Sequence, residues 1–433
     1  MNASSENVRE RIRAVEGTGM RTFGEPEPLV WARTEGSHVW DAEGRAYLDL
    51  YAGFAVANVG YCHPRVTAAI REQAGVMTHC PSAAPAEIRA ELHERLLAIA
   101  PPSLDRVLLA VTGAMANETA VQLARAATGR SNVVTFAGTY SGRTVGAVRY
   151  AGKHAYREQF GIAADAHFVP YPDPYRSPWA GGGDPGEIGL RLLEDALADP
   201  ASGVEPPACV LVEPIQGNGG VVIPPDGFLA GLRQLCDRTG TLLVFDEIQC
   251  GFGRSGRMWA SDYEEVVPDL MTMGKGIGGG LALAAVLGRS ELMTTWEPDA
   301  VSSTFLANAL NAAAGCAAID VLREEGLVER SARLGAHALA RLKGELGESA
   351  SIGDVRGRGL FLGVEIVKES EPDHELAVHT QRALRERGVL VGRGGRYGNV
   401  LILAPPLVIE EDALAGGLDA IVEALGWAGR ARL

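Results

Sequence analysis

The sequence predicts an α/β protein built on one mostly parallel, seven-stranded sheet, with a smaller α+β unit towards its C-terminus. Three observations carry this. Seven short apolar runs lie between residues 106 and 288, most of them separated by helix-forming segments. These runs are apolar almost throughout rather than alternating, the mark of strands buried on both faces by helices. Two of them end in potent groups: TLLVFDE delivers the carboxylate of Asp246, and DLMTMGKG delivers the amine of Lys275.

The bulk composition agrees. The chain has 433 residues, 46% of them hydrophobic, enough for a large core and too many for a disordered chain. Length alone would allow about three domains. A net charge of −14 argues against nucleic acid as a partner, and no basic amphipathic arm points to a membrane surface. The cysteines, Cys62, Cys80, Cys209, Cys236, Cys250 and Cys316, show no CxxC and no zinc spacing, so no metal is expected. They are scattered as in reduced intracellular proteins. MNASSENVRERIRAVEG has no apolar signal-peptide core, and Leu281–Leu287 is too short to span a bilayer. A soluble cytoplasmic protein is expected.

In chain order, residues 1–20 are polar and expected to be partly loose. LVWARTEGSHVWDAEGRAYLDL, within 29–60, reads as a small antiparallel meander broken at Glu35-Gly36 and Glu43-Gly44. A helix starts at His63, and a second follows in APAEIRAELHERLLAIAP, with Leu92, Leu96 and Leu97 assigned to one face. RVLLAVTG is the first strand run. The helix AMANETAVQLARAATGR comes at once, with Ala116, Ala120, Leu123, Ala124 and Ala127 at helical spacing and Gly129 as its cap. SNVVTFAG, AHFVPY, ACVLVEPI, TLLVFDE, DLMTM and LALAAVLG complete the seven. SPWAGGGDPGE, 177–187, is a Gly/Pro-rich loop. Residues 307–346 read as long helices. GLFLGVEIV, LAVHTQRALRERG, VLVG and VLILAPPLVI then alternate strand and helix.

Ligands of open α/β sheets sit at the carboxyl ends of the strands. Gly113, Asp246 and Lys275 are therefore comparable points. Gly113 opens a helix whose free N–H groups favour an anion such as phosphate, although it is equally an ordinary strand-to-helix turn. Asp246 follows four apolar residues, and a buried carboxylate needs a partner. Lys275 lies between Gly274 and Gly276, which would let the backbone approach a ligand, and a desolvated lysine can act as a nucleophile. As isolated residues, the pair could equally be a structural ion pair.

The order of motifs is more specific. WDAEGRAYLDL, NVGYCHP, TGAMANETAVQLARAATGR, YSGRT, VEPIQGNGG, FDEIQCGFGRSG, PDLMTMGKGIGGG, STFLANALNAAAG, VRGRGL and LAPPLVI follow one another through the chain. The chain thereby resembles a class III pyridoxal-phosphate aminotransferase of fold type I, over nearly its whole length. The resemblance implies a large cofactor-binding domain at 66–330 and a small domain at 331–433, which residues 1–65 join. It implies that Lys275 bonds the cofactor and moves the proton, and that Asp246 holds the cofactor's ring nitrogen. Tyr140 and Ile248 would cover the two ring faces, Gln249 would lie near the ring hydroxyl and Glu213 would support it. Gly113 and Ala114 would offer N–H groups to the phosphate. Thr304 would reach the phosphate of the neighbouring subunit, making the enzyme a homodimer, or a tetramer built from one.

Departures from the family bear on substrate. Ala114 stands where a Ser or Thr is usual, at a loss of about 1.5–3 kcal/mol for one charge-assisted bond. Met115 replaces a common Glu, and Ser141 a common His. Relatives acting on 4-aminobutyrate or ornithine clamp an α-carboxylate with an Arg, which a Glu holds aside when an ω-amine binds. Those positions are Ile402 and Asn218 here. Arg143 matches the position that binds a distal carboxylate, Phe54 matches a pocket-lining apolar residue, and Arg393 and Arg396 are further candidate cations. The resemblance implies an aminotransferase using an amine and a keto acid or aldehyde. The expected amine is an ω-amine, an amino sugar or another amine without a conventionally bound α-carboxylate. Racemases or epimerases, mutases and a decarboxylase share the family and remain alternatives.

Overall fold

A computed structural model describes residues 4–24, 27–177, 179, 182–306 and 308–430. The meander forms as β1 (Trp31–Glu35), β2 (His38–Asp41) and β3 (Ala46–Asp49), paired antiparallel in sequence. The seven runs form β4 (Arg106–Ala110), β5 (Val133–Phe136), β6 (His167–Val169), β7 (Cys209–Val212), β8 (Leu242–Asp246), β9 (Leu270–Met273) and β10 (Ala284–Gly288). They make one sheet in the order β4-β10-β9-β8-β7-β5-β6. β10 is antiparallel to both its neighbours, and the other pairs are parallel. β4 therefore runs in the same direction as β9, and the residues following β4, β5, β7, β8 and β9 all emerge at one edge.

The two-residue period of the strands sorts their side chains between two helical layers. Met271, Met273, Ala285 and Leu287 pack with Leu92, Leu96 and Ile319 on one face. Leu211, Val244, Leu270 and Val286 face Ala116, Ala120 and Leu123 of the helix Gly113–Thr128. Val244 and Leu270 lie two residues before Asp246 and Thr272, so those polar groups are sent towards the same helix. Leu97 corrects the stripe expected in the helix Glu87–Ile99: it is exposed, and Ile99 completes the buried face at the i, i+4, i+7 positions.

After the helices Ala309–Glu324 and Leu327–Leu346 come β11 (Ile352–Arg358), β12 (Phe361–Lys368), β13 (Glu371–Pro372), β14 (Val389–Leu390), β15 (Gly392–Gly394) and β16 (Val400–Leu403). β11, β12, β16 and β15 form a second sheet, with β13 on β12. β14 instead joins β3 in parallel, Val389 opposite Leu48, so the chain's two end portions share a sheet. The boundaries expected at 65/66 and 330/331 fall inside the helices Pro64–Val76 and Leu327–Leu346.

Several local expectations change. The looseness expected at the very start falls on residues 1–3, which lie outside the described set; from there Ser5–Arg13 is helical, Ser4 accepting the Asn7 N–H and the Ser5 N–H donating to Glu43 at 2.7 Å. The 177–187 loop ends early, because Asp184 caps and Pro185 opens the helix Pro185–Ala198; residues 178, 180 and 181 lie outside the described set. β11 and the final helix Glu411–Arg430 were not anticipated. Among the described residues, no helix is long and apolar enough to cross a membrane.

Two glycines of one helix give a test of how closely the end unit is docked. A Cβ on Gly335 would lie 2.0 Å from the backbone of Gly359, whereas one on Gly344 would meet nothing within 4 Å. Gly335→Ala should destabilise the protein by at least about 1–3 kcal/mol in urea unfolding. Gly344→Ala should stabilise it by about 0.5–1 kcal/mol. Equal effects from the two would mean that the helix is not seated on the 359 turn.

Candidate active site

At the edge where those strands end lies an open cleft of about 690 Å³. Asp246, the last residue of β8, is buried at its floor. Oδ2 accepts from the Asn117 amide at 2.7 Å, and Oδ1 accepts from the Ile248 N–H at 3.0 Å. Asn117 also donates to the Ser141 carbonyl at 3.1 Å and accepts from the Thr272 hydroxyl at 2.8 Å. One buried amide thus ties β8, β9 and the 141 loop to the helix. Burial pushes the Asp246 pKa up, and the Asn117 amide, the Ile248 N–H and the Lys275 charge pull against it.

Lys275 follows β9 after Gly274 and has φ +46°, a left-handed conformation costly for a side-chain-bearing residue. Its Nζ donates to Gln249 Oε1 at 2.7 Å. Burial pushes its pKa down to about 8, although Asp246 and Glu213 pull it up. Of the flanking glycines, only Gly276 lies where protein leaves no room for a side chain. A Cβ on Gly276 would stand 2.6 Å from Asn58 Nδ2, and one on Gly274 would touch Ile248 at 3.4 Å.

Glu213 follows β7 and is buried. Its oxygens accept the N–H groups of Tyr140 and Gly217, each at 2.9 Å. Burial, then the charge of Asp246, push its pKa up to about 8, against those two donors. Ile248 packs on Gly113, where a Cβ would come within 2.8 Å of Ile248 Cδ1. Gly113 and Ala114 begin the helix beside the cleft, and their N–H groups donate to no group among the described residues. Thr112 caps the helix, accepting from Met115 N at 3.2 Å, and its residue lines the cleft. A hydroxyl-bearing side chain therefore stands two positions before Ala114.

Tyr140 and Arg143 also line the cleft. Arg143 lies over the ring of Tyr156 at 3.7 Å, and Tyr140 meets that ring edge-on at 5.7 Å. The remaining expected residues are not on its walls in this chain. Asn218 donates to the Tyr156 hydroxyl at 2.6 Å. Ile402 is wholly buried among Ala55, Ile215, Phe361 and Val400. Phe54 is 51% exposed and packs on Tyr51 and Arg21. Thr304 is exposed in a turn. Arg393 donates to Gly398 O within its own hairpin and lies 3.2 Å from His374 Nδ1, at the start of the helix His374–Glu386. Asn117 and Tyr156 were not anticipated. Asn117 sits beside a stripe of alanines that reads as plain core, and Tyr156 lies in a stretch without periodicity; a polar residue next to an otherwise apolar stripe is the one signal for Asn117.

A carboxylate at the floor, an amine beside it and free helix amides facing the same space suit an aromatic cofactor bearing a phosphate. The family described as aminotransferase class-III matches residues 22–425. The chain belongs to that family. It is 38% identical over 401 residues to the acetylornithine aminotransferase of Methanothermobacter thermautotrophicus, covering 92% of this chain and 93% of the relative. It is 34% identical over 429 residues to the alanine/serine racemase of Pyrococcus horikoshii, covering 96% and 89%. The solved ornithine aminotransferase of Toxoplasma gondii, a structure with partial occupancy of PLP at its active site, superimposes with a TM-score of 0.86 at 31% identity, covering 99% and 96%. This class III aminotransferase has the type I fold, and its cofactor is pyridoxal phosphate.

Two measurements check the geometry. Asn117→Ala leaves Asp246 Oδ2 without its amide and should cost about 1–3 kcal/mol in urea unfolding of the cofactor-free protein. Lys275 must be neutral to attack an aldehyde. A lysine with a pKa near 8 is about one-tenth neutral at pH 7, against well under one in a thousand for an ordinary lysine. The rate of cofactor uptake should therefore rise with pH through about 8 and level off above. A rise continuing to about pH 10 would mean that the amine is not desolvated.

Proposed function

We propose that this class III aminotransferase transfers the amino group of an ω-amine-type donor, one whose carboxylate, if present, is not clamped next to the reacting carbon. The observation that carries this reading is the side chain at 402. A clamping arginine would have to stand where Ile402 is sealed in an apolar core. The matching acid is absent too, since Asn218 is neutral and bonded to Tyr156. Losing both members of a charge pair is coherent, because either one alone would leave a buried charge unpaired.

The residues present fit pyridoxal phosphate, which when bound supplies an electron-withdrawing ring that stabilises negative charge on the substrate carbon. Asp246, fixed by Asn117 and the Ile248 N–H, would keep the ring nitrogen protonated. The Gly113 and Ala114 amides, at the positive end of a 16-residue helix, would hold the phosphate. Ile248 and Tyr140 would bracket the ring, with Gln249 near its hydroxyl. Glu213 fixes the 140 and 217 backbones and so sets the Tyr140 wall. Lys275 Nζ would hold the cofactor through its aldehyde carbon and, once the substrate amine has displaced it, would carry the proton between the substrate carbon and that aldehyde carbon. Its depressed pKa suits it to do so near neutral pH.

We further propose a homodimer, in which Thr304 of one subunit reaches the phosphate site of the other, and a cytoplasmic location. Support for the dimer comes from the exposed turn that carries Thr304 and from Phe305, which is 61% exposed. A second reading, racemisation of an amino acid, is favoured by the likeness to the P. horikoshii racemase. Racemisation starts from the same proton abstraction and differs in where the proton returns.

Two isomeric amines separate the readings. 4-Aminobutyrate should be deaminated with pyruvate at least about tenfold more efficiently than 2-aminobutyrate, and Lys275→Ala should lower turnover by about 100-fold or more. If the 2-isomer is the better donor, the inference from Ile402 fails. If it loses optical purity with no net amino transfer, the racemase reading replaces this one.

A further inference from the structure

Between Gln216 and Val222 the backbone makes a tight turn behind the cleft. Gln216 and Val222 close it, each N–H donating to the other's carbonyl at 3.0 Å. Inside the turn, the Gly217 N–H donates to Glu213 at 2.9 Å. A Cβ on Gly217 would stand 2.5 Å from Gln249 Oε1 and 2.6 Å from Gln249 Cδ, so the backbone of the turn lies directly against the Gln249 amide. That amide oxygen is the acceptor for Lys275 Nζ, at 2.7 Å. The place of the turn therefore limits where Gln249 can hold the amine.

The turn is held from the end unit. Arg356, on β11, reaches across to it: Nε donates to Gly220 O at 3.0 Å and Val221 O at 3.1 Å, and Nη2 donates to Gly220 O at 2.8 Å. Nη1 donates to Asp354 at 3.0 Å and to Glu365 at 2.8 Å. Glu365, buried on β12, is fixed in turn by Arg176 and Asn399. The Arg356 side chain is only 10% exposed, so two acids and two carbonyls set the plane of its guanidinium with little competition from water. Gly220 has φ +114°, and a Cβ there would come within 3.0 Å of Gly395 Cα and 3.2 Å of Arg356 Nη2. The absence of a side chain at 220 is what lets the guanidinium meet the turn. A lysine at 356 would keep the charge but lose the planar fork that spans two carbonyls and two acids.

We infer that Arg356 is a positioning residue for Lys275, acting through the 217–221 turn and Gln249. Arg356 fixes the turn relative to the end unit, and this fixes how closely Gly217 stands to Gln249. Gln249 then holds Nζ where it meets the cofactor's aldehyde carbon, to which it bonds with loss of water. The end unit thereby takes part in loading the cofactor, although none of its described residues is on the walls of the cleft. The inference rests on the proposed role of Lys275 and is independent of which amine is used.

A double-mutant cycle on cofactor uptake tests it. Cofactor-free protein is mixed with pyridoxal phosphate, and the visible absorption of the lysine-bound cofactor is followed by stopped flow. Gln249→Ala and Arg356→Lys should each slow its appearance by about tenfold. Adding Arg356→Lys to Gln249→Ala should slow it by less than about twofold more, because the amide through which Arg356 acts is gone. Glu365→Gln keeps the fork and weakens its anchor. It should slow uptake by about threefold in the parent and leave the Gln249→Ala rate unchanged, which completes the cycle even if Arg356→Lys does not fold. Arg233→Lys is the control for stability alone: Arg233 holds Asp269, at the opposite end of β9 from Lys275, so this variant should unfold at lower urea and load the cofactor at the parent rate. Rates unchanged in Arg356→Lys and Glu365→Gln, equal slowing in both backgrounds, or slowing by Arg233→Lys as large as by Arg356→Lys, overturns the inference. If Lys275→Ala still develops the same absorption, it is the role of Lys275 that fails.

Discussion

The site depends first on the desolvated carboxylate of Asp246. Asp246 ends the central strand of a sheet that is covered on both faces, so water cannot solvate it, and an ionised acid there is costly unless it is surrounded by donors. Parity places it against the helix Gly113–Thr128, where Asn117 gives one donor; the turn after the strand gives another through the Ile248 N–H. These neutral donors favour the anion without neutralising it. The uncompensated charge suits a protonated ring nitrogen, and it also draws on Lys275 across the same space.

A second constraint brings distant parts of the chain to that carboxylate. Arg254 is fully buried, and its guanidinium donates to Leu360 O, Pro405 O and Asn58 Oδ1. Among the described residues it has no acidic partner, and burial pushes its pKa down to about 9. Asn58 in turn occupies the space that a side chain at 276 would need and donates to Phe252 O at 3.0 Å. One cation therefore joins the N-terminal segment, the end unit and the loop after β8, and braces the backbone at Lys275 in its left-handed conformation. Three carbonyl oxygens hold the two terminal nitrogens of its planar fork, while Nε–H is left without a partner among the described residues.

The seven strands were legible because a sheet buried on both faces leaves uninterrupted apolar runs, and those runs end at Gly113, Asp246 and Lys275. Contacts made between segments far apart in sequence were not. Asn117 lies 129 residues from Asp246, and its helix shows only its alanine stripe. Tyr156 sits in a short, aperiodic stretch, and only the fold brings it to Asn218 and Arg143. Leu97 was placed on the wrong face because adjacent leucines differ by about 100° around a helix, and periodicity at that spacing selects only one of them. At Gly276 the neighbour that needs the space is Asn58, 218 residues away in sequence and unreachable by any local rule.

The proposed substrate preference turns on where a cation is absent. At 402 the chain has a sealed apolar side chain on β16, whose neighbours Gly394 and Gly363 leave little room for a longer one. A guanidinium there would need both space and an acid, and the residue that would supply the acid is an asparagine already bound to Tyr156. The same asparagine links that wall to Lys153 through Gly395. An acid at 218 could keep the link by accepting from the Tyr156 hydroxyl, but its charge would attract the nearby cations Arg143 and Lys153. The wall at 402 and the loop that carries Tyr156 are thus joined through one asparagine, on which the proposed ω-amine reading depends.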